Sequence, residues 1–247
     1  LRTKKSRDAR GETIIEGVRE IRRALEAGLR FSAVYFCREG VYRCPEEFLE
    51  WLGSKKVRVI ETSCSVFDKI AYGDRTEGVL GLCQKPALQL SDLKLGEPPL
   101  VVVMERVEKP GNLGAVLRTC DGAGVDALIV CDEATDIYNP NVVRSSVGTV
   151  FSVPTVSCTS REAAEFLRVR GIRTFAAVVQ AEAEYFRSDM RGPAAIVVGS
   201  EQSGLSDFWM NSADVRARIP MRGRTDSLNV SVAAAVFIYE AVRQRSL

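Results

Sequence analysis

Two hydrophobic periods alternate along this chain. Over residues 12–30, apolar positions at 14, 15, 18, 21, 25 and 29 follow helical spacing. The chain then turns to short apolar runs separated by amphipathic ones. SAVYFC, KVRVIE and GVLGLCQ predict strands, while PEEFLEWLG and TSCSVFDKIAYG predict helices. This alternating unit ends near Gln84. The stretch KPALQLSDLKLGEPP, residues 85–99, has three prolines and no strong period, and predicts a linker. Beyond it the pattern restarts with LVVVMERV, a β-branched run expected of a strand buried on both faces. Helical NLGAVLRTCDGAG, strand DALIVC, a short helix in NPNVVRSSVGT and a strand or its approach in VFSVPTV follow. Then come the capped helix SREAAEFLRVRG, the strands RTFAAVV, AAIVVGS and VRARIPM, and a last helix from about Ser227. Strands alternating with helices predict an α/β protein with a parallel sheet covered on both faces. The expected domains are 1–84 and 100–247.

Composition narrows the chemistry. The chain of 247 residues is 46% hydrophobic and 27% charged, as soluble globular proteins are. Its charged start, LRTKKSRDAR, has no apolar run behind it, so no signal peptide is expected. No apolar segment approaches the ~18–20 residues of a membrane span, so no membrane partner is expected either. Seven scattered cysteines without a C-x-x-C pair predict reduced thiols in a cytoplasmic protein and no zinc site. There is no histidine. Ser-His-Asp and Cys-His mechanisms are thereby excluded, as are metal sites that need His. Proton transfer is left to Asp, Glu, Lys, Arg, Tyr, Cys, solvent or the substrate.

The net charge is only +2, but it is uneven. Residues 1–30 hold nine Lys/Arg against five acids, and Arg216, Arg218, Arg222 and Arg224 form a second basic cluster. Both suit a polyanion, and both are equally compatible with solvated chain.

Ligand sites in such folds gather beyond the carboxyl ends of the strands, and three strand-end loops stand out. In ERVEKPGNLGAVLRTC, Asn112 sits at a helix start and Arg118 six residues on. Taken alone, an N-cap and a solvated helix face are the better explanations of the two. IVVGSEQSGLS nearly matches the triphosphate-binding loop from Gly199 through Gly204 to Ser206. Leu205 stands where the phosphate-gripping Lys belongs, so nucleotide triphosphatase activity is excluded. Glu201 is either a capping acid or a functional carboxylate. DGAGVDALIV has its glycines before a strand, the wrong order for a dinucleotide fingerprint. In RTDSLNVSVAAA, Ser227 reads as the cap of the last helix, with Asn229 in its first turn.

Taken together and in this order, these segments resemble the SpoU (TrmH-type) 2′-O-ribose RNA methyltransferases of the SPOUT superfamily. The carriers are NLGAVLRTCDGAGVDALIV, VVRSSVGTVFSVP, IVVGSEQSGLS and IPMRGRTDSLNVSVAAAVFIYE. The likeness spans about residues 100–243. Residues 1–84 resemble, more loosely, the family's L30e-like RNA substrate-binding domain. The resemblance implies a C-terminal SPOUT domain with a deep trefoil knot, and a homodimer with active sites built across its interface. It implies S-adenosylmethionine as cofactor and no metal. The cofactor site would comprise Gly199, Ser200, Glu201, Gly204, Ile219, Met221, Ser227 and Leu228. The catalytic set would be Asn112, Arg118, Glu201, Ser227 and Asn229.

The implied reaction is in-line attack of a ribose 2′-hydroxyl on a sulfonium methyl group. Because a guanidinium is a poor base, Arg118 is expected to orient an RNA phosphate and stabilise the developing alkoxide. Arg2, Lys4, Lys5, Arg7, Arg10, Arg222 and Arg224 are the expected RNA contacts. The accessory domain favours rRNA over tRNA as substrate. A non-catalytic RNA-binding protein that keeps the fold is the alternative from another class. Cys120 departs from the Ala common at this place in the family and is expected to serve packing.

Overall fold

The computed structural model describes residues 1–40, 42–73 and 77–246. They form two compact units, residues 1–87 with Tyr138–Ser152, and Leu88–Ile137 with residues 153–247.

The first unit holds α1 (Lys4–Arg10), β1 (Glu12–Glu16), α2 (Val18–Glu26), β2 (Phe31–Phe36), α3 (Glu46–Ser54), β3 (Val59–Glu61), α4 (Cys64–Ile70) and β4 (Val79–Gln84). Its four strands lie in the order β1-β4-β2-β3, with only β2 and β3 parallel. The single helix expected over 12–30 therefore divides. Thr13 and Ile15 turn inward while their neighbours are half-exposed, a period of two that suits β-branched residues. Gly17, at φ +114°, breaks the strand before α2 begins. Tyr138–Ser152, with the sixth helix α6 (Pro140–Ser145), packs into this unit from far along the chain. Thr13 Oγ1 donates to Tyr138 O at 3.1 Å, and Arg23 Nη1 to Val147 O at 2.9 Å.

The second unit comprises β5 (Leu100–Glu105), α5 (Pro110–Ala123), β6 (Ala127–Cys131), β7 (Thr155–Cys158), α7 (Ser160–Val169), β8 (Arg173–Ala177), β9 (Ala183–Glu184), β10 (Ala194–Val198), α8 (Asp207–Ser212), β11 (Val215–Arg218) and α9 (Val230–Arg245). Its seven strands are all parallel, in the order β7-β6-β5-β10-β8-β11-β9. Alternate residues serve opposite faces. Val101, Val103, Ile129 and Val197 pack with Phe166, Leu167 and Trp209, while α5 and α9 pack on each other and α9 lies against β10. Leu90, Leu93 and Leu95, within the stretch read as linker, also pack on the Trp209 side.

The end of α9 is fixed by one guanidinium. Arg245 donates to Met190 O, Pro98 O, Pro99 O and Gly192 O at 3.1, 3.0, 2.8 and 2.7 Å. Helix α9 starts later than expected. Its N-cap is Asn229, whose Oδ1 accepts from Ser231 N at 2.9 Å, and Ser227 lies outside the helix. Among the described residues no helix is long and apolar enough to cross a membrane.

Candidate active site

Three loops leave the carboxyl ends of β5 and β10, adjacent near the middle of the seven-stranded sheet, and of β11, next to its edge. From β5 the chain passes through Arg106, at φ +51°, to α5, which Lys109 caps and Pro110 opens. Asn112 is thus in the first turn and is not a cap, which frees its amide. Its Nδ2 donates to Glu201 Oε1, and its Oδ1 accepts from Asn229 Nδ2 at 3.2 Å. One residue from each loop joins this chain. Glu201 Oε2 is buried and has no hydrogen-bond partner among the described residues.

The loop after β10 owes its path to two glycines. A Cβ on Gly199 would lie 2.2–2.4 Å from backbone atoms of Gly204 and Leu205. Gly204 itself has φ +68°. Ser200 and Gly204 exchange backbone bonds of 3.0 and 3.1 Å, closing the loop with Glu201 at its turn.

Beyond β11, Ile219, Met221, Ser227 and Leu228 line a cleft with Ala177–Val179, Asp226, Ala233 and Phe237. Among the described residues, no backbone–backbone hydrogen bond involves Ile219–Leu228. The cleft therefore offers apolar walls beside backbone groups that no helix or strand engages. Those four residues meet there as expected. Gly199, Ser200, Glu201 and Gly204 are not among its lining and form the neighbouring loop instead.

Two of the expected catalytic residues stand apart. Arg118 is exposed and lies about 120° round the helix axis from Asn112, because six residues at 100° each overshoot a turn. It has no hydrogen bond or ion pair among the described residues. Ser227 faces the cleft and does not touch the Asn112 chain; its carbonyl accepts from Thr225 Oγ1 at 3.2 Å. Cys120 is buried, and burial pushes its thiol up to about 12, as an inert packing residue requires.

The expected RNA contacts also sort unequally. Arg7 is 1% exposed and donates to Leu1 O at 2.8 Å, so it is not a surface cation. Arg2 spends its guanidinium on Lys69 O and Ala71 O, and Arg10 lies 3.5 Å from Glu12. Carbonyls at Leu1 and at the end of α4, and the Glu12 carboxylate, engage these groups, which a count of charges does not foresee. Arg2, Lys4, Lys5, Arg10, Arg222 and Arg224 are exposed, and of the expected contacts only Arg7 is buried. Beside these loops the carboxylate of Glu105 accepts from Ser206 N and Oγ, a pair that was not expected. Its signal was a lone carboxylate closing the otherwise apolar run LVVVME.

Comparison with known proteins identifies the family. The SpoU rRNA Methylase family model matches residues 99–239, and the MRM3-like substrate binding domain matches residues 1–81. The 23S rRNA (guanosine-2′-O-)-methyltransferase RlmB of Ralstonia nicotianae is 35% identical, over 91% of this chain and 94% of its own length. The 23S rRNA (uridine(2479)-2′-O)-methyltransferase of Streptomyces viridochromogenes is 31% identical, over 99% and 87%. Among solved structures, the SpoU methyltransferase AviRb of the same organism, in complex with AdoMet, superposes with a TM-score of 0.89 at 30% identity, covering 99% of this chain and 94% of that one.

Proposed function

The chain belongs to the SpoU rRNA methylase family, and on that premise we propose that it methylates a ribose 2′-hydroxyl of 23S rRNA. S-adenosylmethionine, when bound, supplies the activated methyl group as an electrophile. The residues of this chain then have three tasks. Ile219, Met221, Ser227 and Leu228 hold the cofactor in the cleft after β11. Glu201 receives the ribose, its Oε2 accepting a hydrogen bond while Asn112, itself held by Asn229, fixes the opposite oxygen. Arg118, always charged, orients a phosphate and stabilises the oxygen as its negative charge develops. The observation that carries this reading is the Glu201–Asn112–Asn229 chain with a buried acceptor that has no partner among the described residues.

Several further features belong to the same proposal. Lys4, Lys5, Arg222 and Arg224 contact RNA phosphates, and binding falls steeply with salt. The functional form is a homodimer. Its support is the outer face of α5 and α9, where Val232 and Tyr239 are 48% and 51% exposed beside the small Gly122. Arg118 emerges from the same pair of helices. A trefoil knot in this part of the chain belongs to the proposal on the strength of the family. Seven unpaired cysteines suit the reducing cytoplasm.

Nucleoside mass spectrometry of rRNA and tRNA, from cells with and without the protein, tests the substrate. One 2′-O-methylated nucleotide of 23S rRNA should disappear with the gene; loss confined to tRNA, or no loss, overturns the assignment. Calorimetric titration of the folded protein with S-adenosylmethionine separates an enzyme from an RNA-binding protein that only keeps the fold.

A further inference from the structure

We propose that Glu105 is a positioning residue for this reaction, clamping Ser206 and thereby the loop that presents Glu201 to Asn112. The inference rests on the role assigned to Glu201 above. Glu105 ends β5 and is 1% exposed. Its Oε2 accepts from Ser206 N at 2.7 Å and its Oε1 from Ser206 Oγ at 2.5 Å. Ser160 Oγ stands 3.1 Å from Oε1. That hydroxyl has one proton, and the shorter contact, 2.6 Å to Asp132 Oδ2, takes it. Trp209 Nε1 donates back to the same oxygen at 3.0 Å. No lysine or arginine among the described residues forms an ion pair with Glu105.

A carboxylate buried without a cation is costly, and the packing of β5 does not ask for one. Leu100, Val101, Val102, Val103 and Met104 are apolar and buried, and an apolar side chain at 105 would extend them. What the carboxylate adds is a pair of directed bonds to a single residue. Ser206 occupies the N-cap position of α8, yet its side chain makes no capping bond and turns to Glu105 instead.

The loop is thereby held at both ends against β5. Val198 enters it in register with Met104, so Gly199 starts beside Glu105, and Ser206 leaves it bonded to Glu105. Between them the Ser200–Gly204 closure holds Glu201 where Asn112 donates to it. Asn112 is itself only seven positions beyond Glu105. One buried group thus sets the spacing of two site residues on different loops.

The test is a double-mutant cycle with the full chain, unmodified 23S rRNA transcript and S-adenosylmethionine. In Glu105→Gln the amide oxygen can still accept from Ser206 N–H, but an NH2 group replaces the charged acceptor of Ser206 Oγ, so the clamp loses its charge-assisted bonds. It should lower kcat roughly ten- to a hundred-fold while thermal unfolding stays two-state. In a Glu201→Gln background the same substitution should cost less than about two-fold more, because the residue it positions is already disabled. Equal losses in both backgrounds mean a general structural role and overturn the proposal, as does wild-type kcat in Glu105→Gln. If Glu105→Gln does not fold, Ser206→Ala, which keeps the backbone bond, runs the same cycle with a smaller loss. A fully active Glu201→Gln enzyme, or a wild-type chain that transfers nothing, removes the underlying reading of the site and this inference with it.

Discussion

Asn229 Nδ2 donates to Asn112 Oδ1 at 3.2 Å, linking residues 117 positions apart. The same Asn229 caps α9 through its Oδ1, so its carbonyl stabilises the helix while its amide serves the site. The two uses are separable. Serine caps helices about as well as asparagine but has no amide to offer Asn112. Asn229→Ser should unfold within a degree or two of wild type yet transfer methyl groups roughly ten-fold more slowly. Asn229→Ala should lose activity and, in addition, about 1 kcal/mol of stability. Comparing thermal melts with single-turnover rates checks both.

Arg118 has no hydrogen bond or ion pair among the described residues, and its replacement should leave the fold intact. Arg118→Ala is expected to abolish transfer while calorimetry shows S-adenosylmethionine binding nearly unchanged. Full activity would remove Arg118 from the mechanism.

Gly199→Ala places a methyl group 2.2 Å from a backbone carbon that has no free rotamer to retreat to. We expect a loss of at least about 2 kcal/mol, measured by urea unfolding, and disordering of the Glu201 loop. Gly111→Ala, where the added carbon meets nothing within 4 Å, is the matched control.

Arg245 satisfies four carbonyls at the end of α9. Arg245→Met keeps most of the side chain's bulk and removes every donor. The cost should be about 2–4 kcal/mol, visible as a lower denaturation midpoint at unchanged slope.

Acid should loosen the same helix. Glu240 is buried and holds Arg243 and Gln244, and its hydrogen bonds to Arg243 lower its pKa from the ordinary 4.5. Its contribution is complete above that value and is lost as pH falls through the lower folded-state one. Glu240→Gln should therefore flatten the stability curve below pH 4.5 and leave its shape near neutrality unchanged.

The C-terminal unit was legible because strands buried on both faces announce themselves. LVVVME and AAIVV could hardly be anything else, and their ends located Asn112 and Glu201. The failures were local ambiguities that tertiary contacts resolve. ETIIE carries adjacent isoleucines that fit a helical template as well as a strand, until β4 pairs with it. Ser227 and Asn229 are both good caps, and only the bond to Ser231 chooses. Arg7 is a charge in any count but a buried one in the fold. Glu105 escaped notice because a single acid at a strand end has no pattern. Its meaning depends on Ser206, 101 positions away.

Tyr138–Ser152 has a practical corollary for anyone dissecting this protein. A truncation after residue 87 would deprive the front half of fifteen residues that line its own interior, and would leave those residues dangling from the back half. Neither fragment is a fair stand-in for its counterpart in the intact chain. Domain-swap chimeras should carry this tongue along with residues 1–87, as a graft in two pieces.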